Sequence, residues 1–134
     1  MHPAFGLVTE FDAIDGPFEI GSQVQPDPRL LCLGIEGPYL SWNKVDEVEI
    51  EGKVKTLYYS LEDSMEVIKN KILTDGPYDG IAGFSQGSFM ARQFFTIANE
   101  LDPASYTELE GKMPKFLLQF SEIYDDTVLY KYKE

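Results

Sequence analysis

The clearest hydrophobic pattern in the chain is the stripe Leu61, Met65, Ile68 and Ile72, spaced i, i+4, i+7 and i+11 among charged neighbours. That period predicts one amphipathic helix, beginning after Ser60 and stopped by Gly76-Pro77. Ser60-Leu61-Glu62-Asp63 has the form of a capping box with Asp in the Glu position, and its acids suit the positive start of a helix. "YDGIAGF" follows, a short apolar run with the length of a buried strand. A second helix is predicted from about Gln86 to Leu101, offering Phe89, Ala91, Phe94, Phe95, Ile97, Ala98 and Leu101 for packing and ending at Asp102-Pro103. "KFLLQFS" then reads as a strand before a charged tail.

Upstream the signals are shorter. "FGLVTEFDAIDGPF" reads as a strand closed by Gly16-Pro17, and "RLLCLGIEGP" as a second one ending at Gly37-Pro38. Val48, Ile50 and Val54 alternate with Glu49, Glu51, Lys53 and Lys55. This pattern predicts a half-exposed strand, or a hairpin pivoting near Gly52. Helices alternating with strands through crossovers of this length predict an α/β layered domain with a mainly parallel sheet. In such sheets chemistry collects at the carboxyl ends of the strands.

Composition narrows the function classes. The chain has 134 residues, the length of one domain, and is 43% hydrophobic. Eleven Lys+Arg against 23 Asp+Glu give a formal charge of −12, which disfavours nucleic acid and anionic membrane surfaces as partners. The carboxylates are scattered and read as a solvated surface. Cys32 is the single cysteine, so no intramolecular disulfide forms; between Leu31 and Leu33 it reads as a buried thiol. No secretory signal and no long apolar span is present, so a cytoplasmic setting is expected. No motif calls for a cofactor or a metal.

Gly83-Phe84-Ser85-Gln86-Gly87 has the G-x-S-x-G spacing of a serine nucleophile on a tight turn. By composition alone such a spacing arises by chance at roughly the few-per-cent level. Its context carries more weight: an apolar strand runs into Gly83 and a helix starts after Ser85, the setting of a nucleophile elbow. The serine must sit in a strained turn so that its hydroxyl stands clear of the sheet. The residues two before and two after crowd each other there, and glycine fits both places. The helix start aims free N–H groups at the reacting centre, and the Gln86 N–H is one expected oxyanion donor. The competing structural reading is a glycine-rich loop that caps a helix. No G-x-x-x-x-G-K-[ST] or G-x-G-x-x-G spacing supports a nucleotide binder.

"YYSLEDSMEVIKNKILTDGPYDGIAGFSQGSFMARQFF" resembles the core of the FSH family of serine hydrolases, relatives of the α/β-hydrolases. The resemblance rests on Gly83 to Gly87 (G-F-S-Q-G), on the strand entry Gly76 to Gly80 and on Glu62-Asp63-Ser64. It extends loosely to "FDAIDGPFEI", to Trp42 in "GPYLSW" and to "MPKFLLQFS". It implies a three-layer α/β-hydrolase-like domain over residues 1–134, with Ser85 as nucleophile and carboxylic esters as substrates. It also implies parts not found here: a first strand with an "HG" oxyanion loop, and a later aspartate and histidine. The chain therefore reads as a truncated version of the domain.

The only histidine, His2, stands before the first strand, in the wrong order for the family, and Asp125 and Asp126 read as solvated tail charges. Serine is a poor nucleophile without an adjacent base. Two functional readings therefore stand: an esterase-type serine hydrolase impaired as this short chain, or a non-catalytic relative that binds a small acyl ligand or a protein partner. An incomplete sheet also leads one to expect self-association through an uncovered edge.

Overall fold

A computed structural model describes residues 9–20, 28–34, 39–121 and 128–133. His2, Asp125 and Asp126 lie outside the described residues. In chain order the elements are β1 (Phe18–Glu19), α1 (Pro28–Cys32), β2 (Leu40–Ser41), β3 (Lys44–Ile50), β4 (Lys53–Tyr59), α2 (Leu61–Asp75), β5 (Gly80–Phe84) and α3 (Gln86–Thr96). A π-helical turn (Ile97–Leu101), a 3-10 segment (Pro103–Leu109), β6 (Phe116–Phe120) and β7 (Val128–Tyr130) follow.

The stripe on α2 is the core's first half: Leu61, Met65, Ile68 and Ile72 are all buried. Phe89, Met90, Ala91 and Phe94 of α3 supply the second half, closed by Ile97, Ala98, Tyr106 and Leu109. Each of the larger side chains contributes about 1.5–3 kcal/mol by leaving water. Pro114 apart, the buried apolar side chains among the described residues belong to helical segments and none to a strand. The core is therefore helix against helix, with the strands around it.

The strands form mixed sheets rather than one mainly parallel sheet. Among the described residues, β1 pairs antiparallel with β2, β3–β4–β7 form a second sheet, and β5–β6 a third. The longest ladder, β3 with β4, is antiparallel because Glu51 and Gly52 both take positive φ (52° and 76°), the two-residue turn that matches strand twist. This is the hairpin the sequence offered near Gly52. Parallel pairing occurs where helices intervene, between β5 and β6 and between β4 and β7.

Several local expectations change. The segment 29–38, read as a strand, forms the one-turn helix α1 in its described part. Pro28 at its first position and Gly34 (φ 71°) just beyond it are ordinary helix punctuation. Cys32 is exposed there, because so short a helix buries little of its surroundings. Residues 9–17 form no strand, and pairing begins only at Phe18. Ser60 starts α2 in a left-handed conformation (φ 61°), and its side chain makes no cap, so the capping box is not formed. Leu101 is exposed where the helical run widens into the π-turn.

The charged tail is held down at Tyr132 and Lys133. Tyr132 donates to Asp102 at 2.8 Å, and Lys133 Nζ reaches the same carboxylate at 2.8 Å. With its proton so committed, Tyr132 accepts from the Tyr106 hydroxyl at 2.9 Å. The Lys133 ammonium beside Asp102, aided by Ser105 and Tyr132, pulls that carboxyl down to about 2. Among the described residues no helix is long and apolar enough to cross a membrane.

Candidate active site

Strand β5 ends at Phe84 and helix α3 begins at Gln86, leaving Ser85 alone in the turn. Its backbone lies at φ 54°, ψ −118°, a region that non-glycine residues occupy at a cost of about 1–3 kcal/mol. The turn holds because both ends of the residue are pinned. The Ser85 N–H donates to the Phe120 carbonyl of β6 at 2.9 Å, and the Ser85 carbonyl accepts from Phe89 N–H at 3.1 Å. The serine is exposed, and its side chain does not cap the helix it precedes.

The flanking glycines are unequal. A Cβ at Gly83 would lie 2.3 Å from the Gly87 carbonyl oxygen and 2.5 Å from Ser88 N, both backbone atoms that cannot swing aside. A Cβ at Gly87 would meet only Trp42 Nε1, at 3.7 Å. The crowding expected at both positions is therefore a demand on Gly83 alone. The direction of contact explains this: Gly83 faces the first turn of α3, whereas Gly87 faces the indole.

Gln86 acts through more than its backbone. Its N–H stands in the first turn of α3, where it has no carbonyl four residues back within the helix. The helix start carries about half a positive charge, directed at the Ser85 region. Its side chain reaches the other way: Gln86 Oε1 accepts from Trp42 N–H at 2.9 Å and from the Ser41 hydroxyl at 3.0 Å. That hydroxyl also lies 2.8 Å from the Asn43 carbonyl, so one proton serves two acceptors. The Ser64 hydroxyl of α2 donates to the Trp42 carbonyl. On the far side, Gly16 passes so close that a Cβ would sit 2.4 Å from the Ser41 carbonyl carbon and oxygen. Three stretches distant in sequence, "DGP", "LSWN" and the serine turn, thus converge.

Sequence reasoning put Ser85 between a strand and a helix; the structure has Gly83 and Phe84 at the end of β5, Ser85 in the turn, and Gln86 and Gly87 at the start of α3. That reasoning missed the side-chain role of Gln86, whose place in the motif spoke only for its backbone N–H, and the part of Ser41, which has no periodic or motif signal. Phe84 points away from α3 and is 71% exposed. Among the described residues, no side chain hydrogen-bonds the Ser85 hydroxyl, and no cluster of His, Cys, Asp and Glu is arranged to hold a metal. A hollow of about 360 Å³, lined by Asp46, Leu57, Tyr59, Ser60, Glu62, Lys131 and Lys133, shares no residue with the turn. The arrangement presents an exposed hydroxyl at a helix start with one free N–H beside it.

Comparison with known proteins adds descent to geometry. The model of the family described as "Serine hydrolase (FSH1)" matches residues 3–125. The mouse (Mus musculus) protein named Esterase OVCA2 is 24% identical over 118 residues, covering 84% of this chain and 50% of that protein. Hydrolase phiM of Talaromyces stipitatus is 27% identical over 124 residues, covering 89% and 44%. The chain thus spans about half the length of these relatives. No solved structure matches it significantly.

Proposed function

The chain belongs to the FSH1 serine hydrolase family, and from that premise we propose that Ser85 is the nucleophile of a carboxylic-ester hydrolase site. The observation that carries the proposal is the strained, doubly pinned backbone of Ser85 between β5 and α3. Strain of this kind persists only where the surroundings enforce it, and here it exposes a hydroxyl at the positive end of a helix. In this reading Gly83 to Gly87 form the nucleophile elbow, and Gln86 N–H is one oxyanion donor. In this reading the parallel unit β5–α3–β6 belongs to a three-layer α/β-hydrolase-like fold. The setting is cytoplasmic, with a small-molecule ester as partner and no nucleic acid or membrane. The reaction is attack of Ser85 Oγ on an ester carbonyl, loss of the alcohol, and hydrolysis of the acyl-serine.

Among the described residues that reaction lacks a proton acceptor for Ser85. The chain's one histidine is His2, and no described side chain touches the hydroxyl. Loss of the base histidine in a serine hydrolase costs on the order of 10⁶ in turnover, and a lone oxyanion donor recovers little of it. In this reading the base and second donor come from outside the described residues. The unpartnered hydroxyl also favours a second reading, a non-catalytic relative that holds an acyl ligand or a protein partner.

Ester turnover by two chains separates the readings. The 134-residue chain is expected to hydrolyse p-nitrophenyl esters little faster than buffer, with no change in Ser85→Ala. A chain extended by an "HG" loop and a downstream histidine is expected to turn over and to lose activity in Ser85→Ala. Ser85-dependent turnover by the short chain would show that it holds its own base. An extended, folded chain with no Ser85-dependent turnover would favour the non-catalytic reading.

A further inference from the structure

Ser41 ends β2 and is 7% exposed. Its hydroxyl makes two kinds of contact. One is local: it donates to the Asn43 carbonyl at 2.8 Å and accepts from the Asn43 N–H at 3.3 Å, a turn that serine commonly closes by itself. The other crosses 45 residues of sequence, to Gln86 Oε1 at 3.0 Å. The local turn is complete without that second contact.

An amide oxygen has two lone pairs, and at Gln86 both meet a donor. Trp42 N–H comes to 2.9 Å from Oε1, and the Ser41 hydroxyl is the other donor. Two donors converging on one oxygen fix a side chain that is otherwise rich in rotamers. The donors are themselves held still. Asn43 is buried, the Ser64 hydroxyl of α2 binds the Trp42 carbonyl, and Ser41 is registered against Phe18 of β1. The Gln86 carboxamide is thus anchored to a rigid segment outside the β5–α3–β6 unit.

That anchor bears on a backbone group. The Gln86 N–H lies in the planar peptide that joins Ser85 to Gln86. One side of the plane is tied by the Ser85 carbonyl, which accepts from Phe89 N–H at 3.1 Å. The other side is the Gln86 Cα, which carries the anchored side chain. A donor to a developing oxyanion helps only when it is aimed beforehand, to within about 0.5 Å and 10–20°.

We infer that Ser41 is a positioning residue of the ester-hydrolase site, aiming the Gln86 N–H at the oxyanion through Gln86 Oε1. The inference rests on the reading of Ser85 as nucleophile and of Gln86 N–H as oxyanion donor. Ser41 acts through Gln86 and not on the substrate itself. Without its hydroxyl, Oε1 keeps one donor, the carboxamide turns about that bond, and the N–H spreads over a range of directions.

The test reacts the 134-residue chain with a fluorophosphonate. Ser85 Oγ bonds to phosphorus, fluoride leaves, the hydroxyl proton passes to water, and the phosphoryl oxygen takes the place of the oxyanion. Losing a whole oxyanion donor costs about 10²–10³ in rate, so a misdirected one is expected to cost about tenfold. Ser41→Ala should lower the maximal rate of Ser85 adduct formation by that factor, with the half-saturating probe concentration unchanged within about twofold. Ser41→Thr, which keeps the hydroxyl, should recover most of the rate. Gln86→Met keeps the backbone N–H and loses Oε1, so it should be at least as slow as Ser41→Ala. Adding Ser41→Ala to Gln86→Met should change nothing further.

NMR relaxation should give the Gln86 amide an order parameter near about 0.85 in the unmutated chain and nearer about 0.6 in Ser41→Ala. Circular dichroism at the assay temperature reports the folded state; were Ser41→Ala unfolded, Gln86→Met carries the same comparison. No Ser85 adduct in the unmutated chain would overturn the nucleophile reading and the inference with it. A Ser85 adduct formed equally fast in Ser41→Ala, additive losses in the double variant, no recovery in Ser41→Thr, or an unchanged Gln86 order parameter would overturn the inference alone.

Discussion

Replacing Gly83 with Ala tests the geometry of the serine turn without touching the serine. The new Cβ would sit 2.3 Å from the Gly87 carbonyl oxygen, 2.5 Å from its carbon and 2.5 Å from Ser88 N. All three are backbone atoms, so no rotamer relieves the contact. The strand side is tied by Ser85 N–H to Phe120 at 2.9 Å and the helix side by Phe89 N–H to Ser85 at 3.1 Å. Overpacking of a well-fixed site costs about 1–3 kcal/mol, and a backbone clash belongs in the upper half. The stiffer unfolded chain returns about 0.4–1 kcal/mol. The expected net loss is about 2 kcal/mol. Gly87→Ala is the internal control, because its Cβ would make only ordinary contact with Trp42 at 3.7 Å. Inside α3 that change should stabilise by about 0.5–1 kcal/mol. Urea unfolding followed by far-UV circular dichroism reads both, and their melting temperatures should differ by roughly 10 °C. A Gly83→Ala chain within about 0.5 kcal/mol of wild type, or a Gly87→Ala chain equally weakened, would refute the reasoning.

Two further outcomes follow from polar contacts. Gln86→Ala leaves the Trp42 N–H without its acceptor and should cost about 1–3 kcal/mol. Gln86→Glu, which keeps an acceptor, should cost less; thermal melts that rank the two the other way would remove the side chain from the architecture. Asp102 has its pKa lowered from 3.8 to about 2 in the folded chain, first by Lys133 and then by Ser105 and Tyr132. A depressed carboxyl contributes stability that is complete above its unfolded pKa and is lost as pH falls through about 4 to 2. Asp102→Asn should therefore flatten the acid limb of the stability curve in that window, and an unchanged limb would show the clasp carries no linkage.

What the sequence made legible was what local physics decides. The Leu61–Ile72 stripe, the Gly76-Pro77 stop and the charge alternation around Gly52 each determine a local element, and each appears where expected. Ser85 was legible because a strand, a tight turn and a helix start are all encoded within a dozen residues. Sheet arrangement was not, since pairing joins segments far apart and the parallel expectation rested on alternation of elements alone. The Asp102–Tyr132–Lys133 clasp was hidden for the same reason: a charged tail looks solvated until its partners, some thirty residues away, are placed. The described part of the segment 29–38 was misread because so short an apolar run has no periodicity, and the Pro28 and Gly34 that bracket α1 were the better signal.

The most direct measurement of the central claim is the rate at which a fluorophosphonate forms an adduct on Ser85, read by peptide mass spectrometry. It would be made in parallel on the 134-residue chain and on the chain extended by an "HG" loop and a downstream histidine. A strained serine at a helix start, with neither a base nor a second oxyanion donor among the described residues, should be labelled slowly in the short chain. It should be labelled faster by several powers of ten in the extended one, with the adduct on Ser85 and absent from Ser85→Ala. Equal rates in the two chains, or an adduct on any residue other than Ser85, would contradict the account.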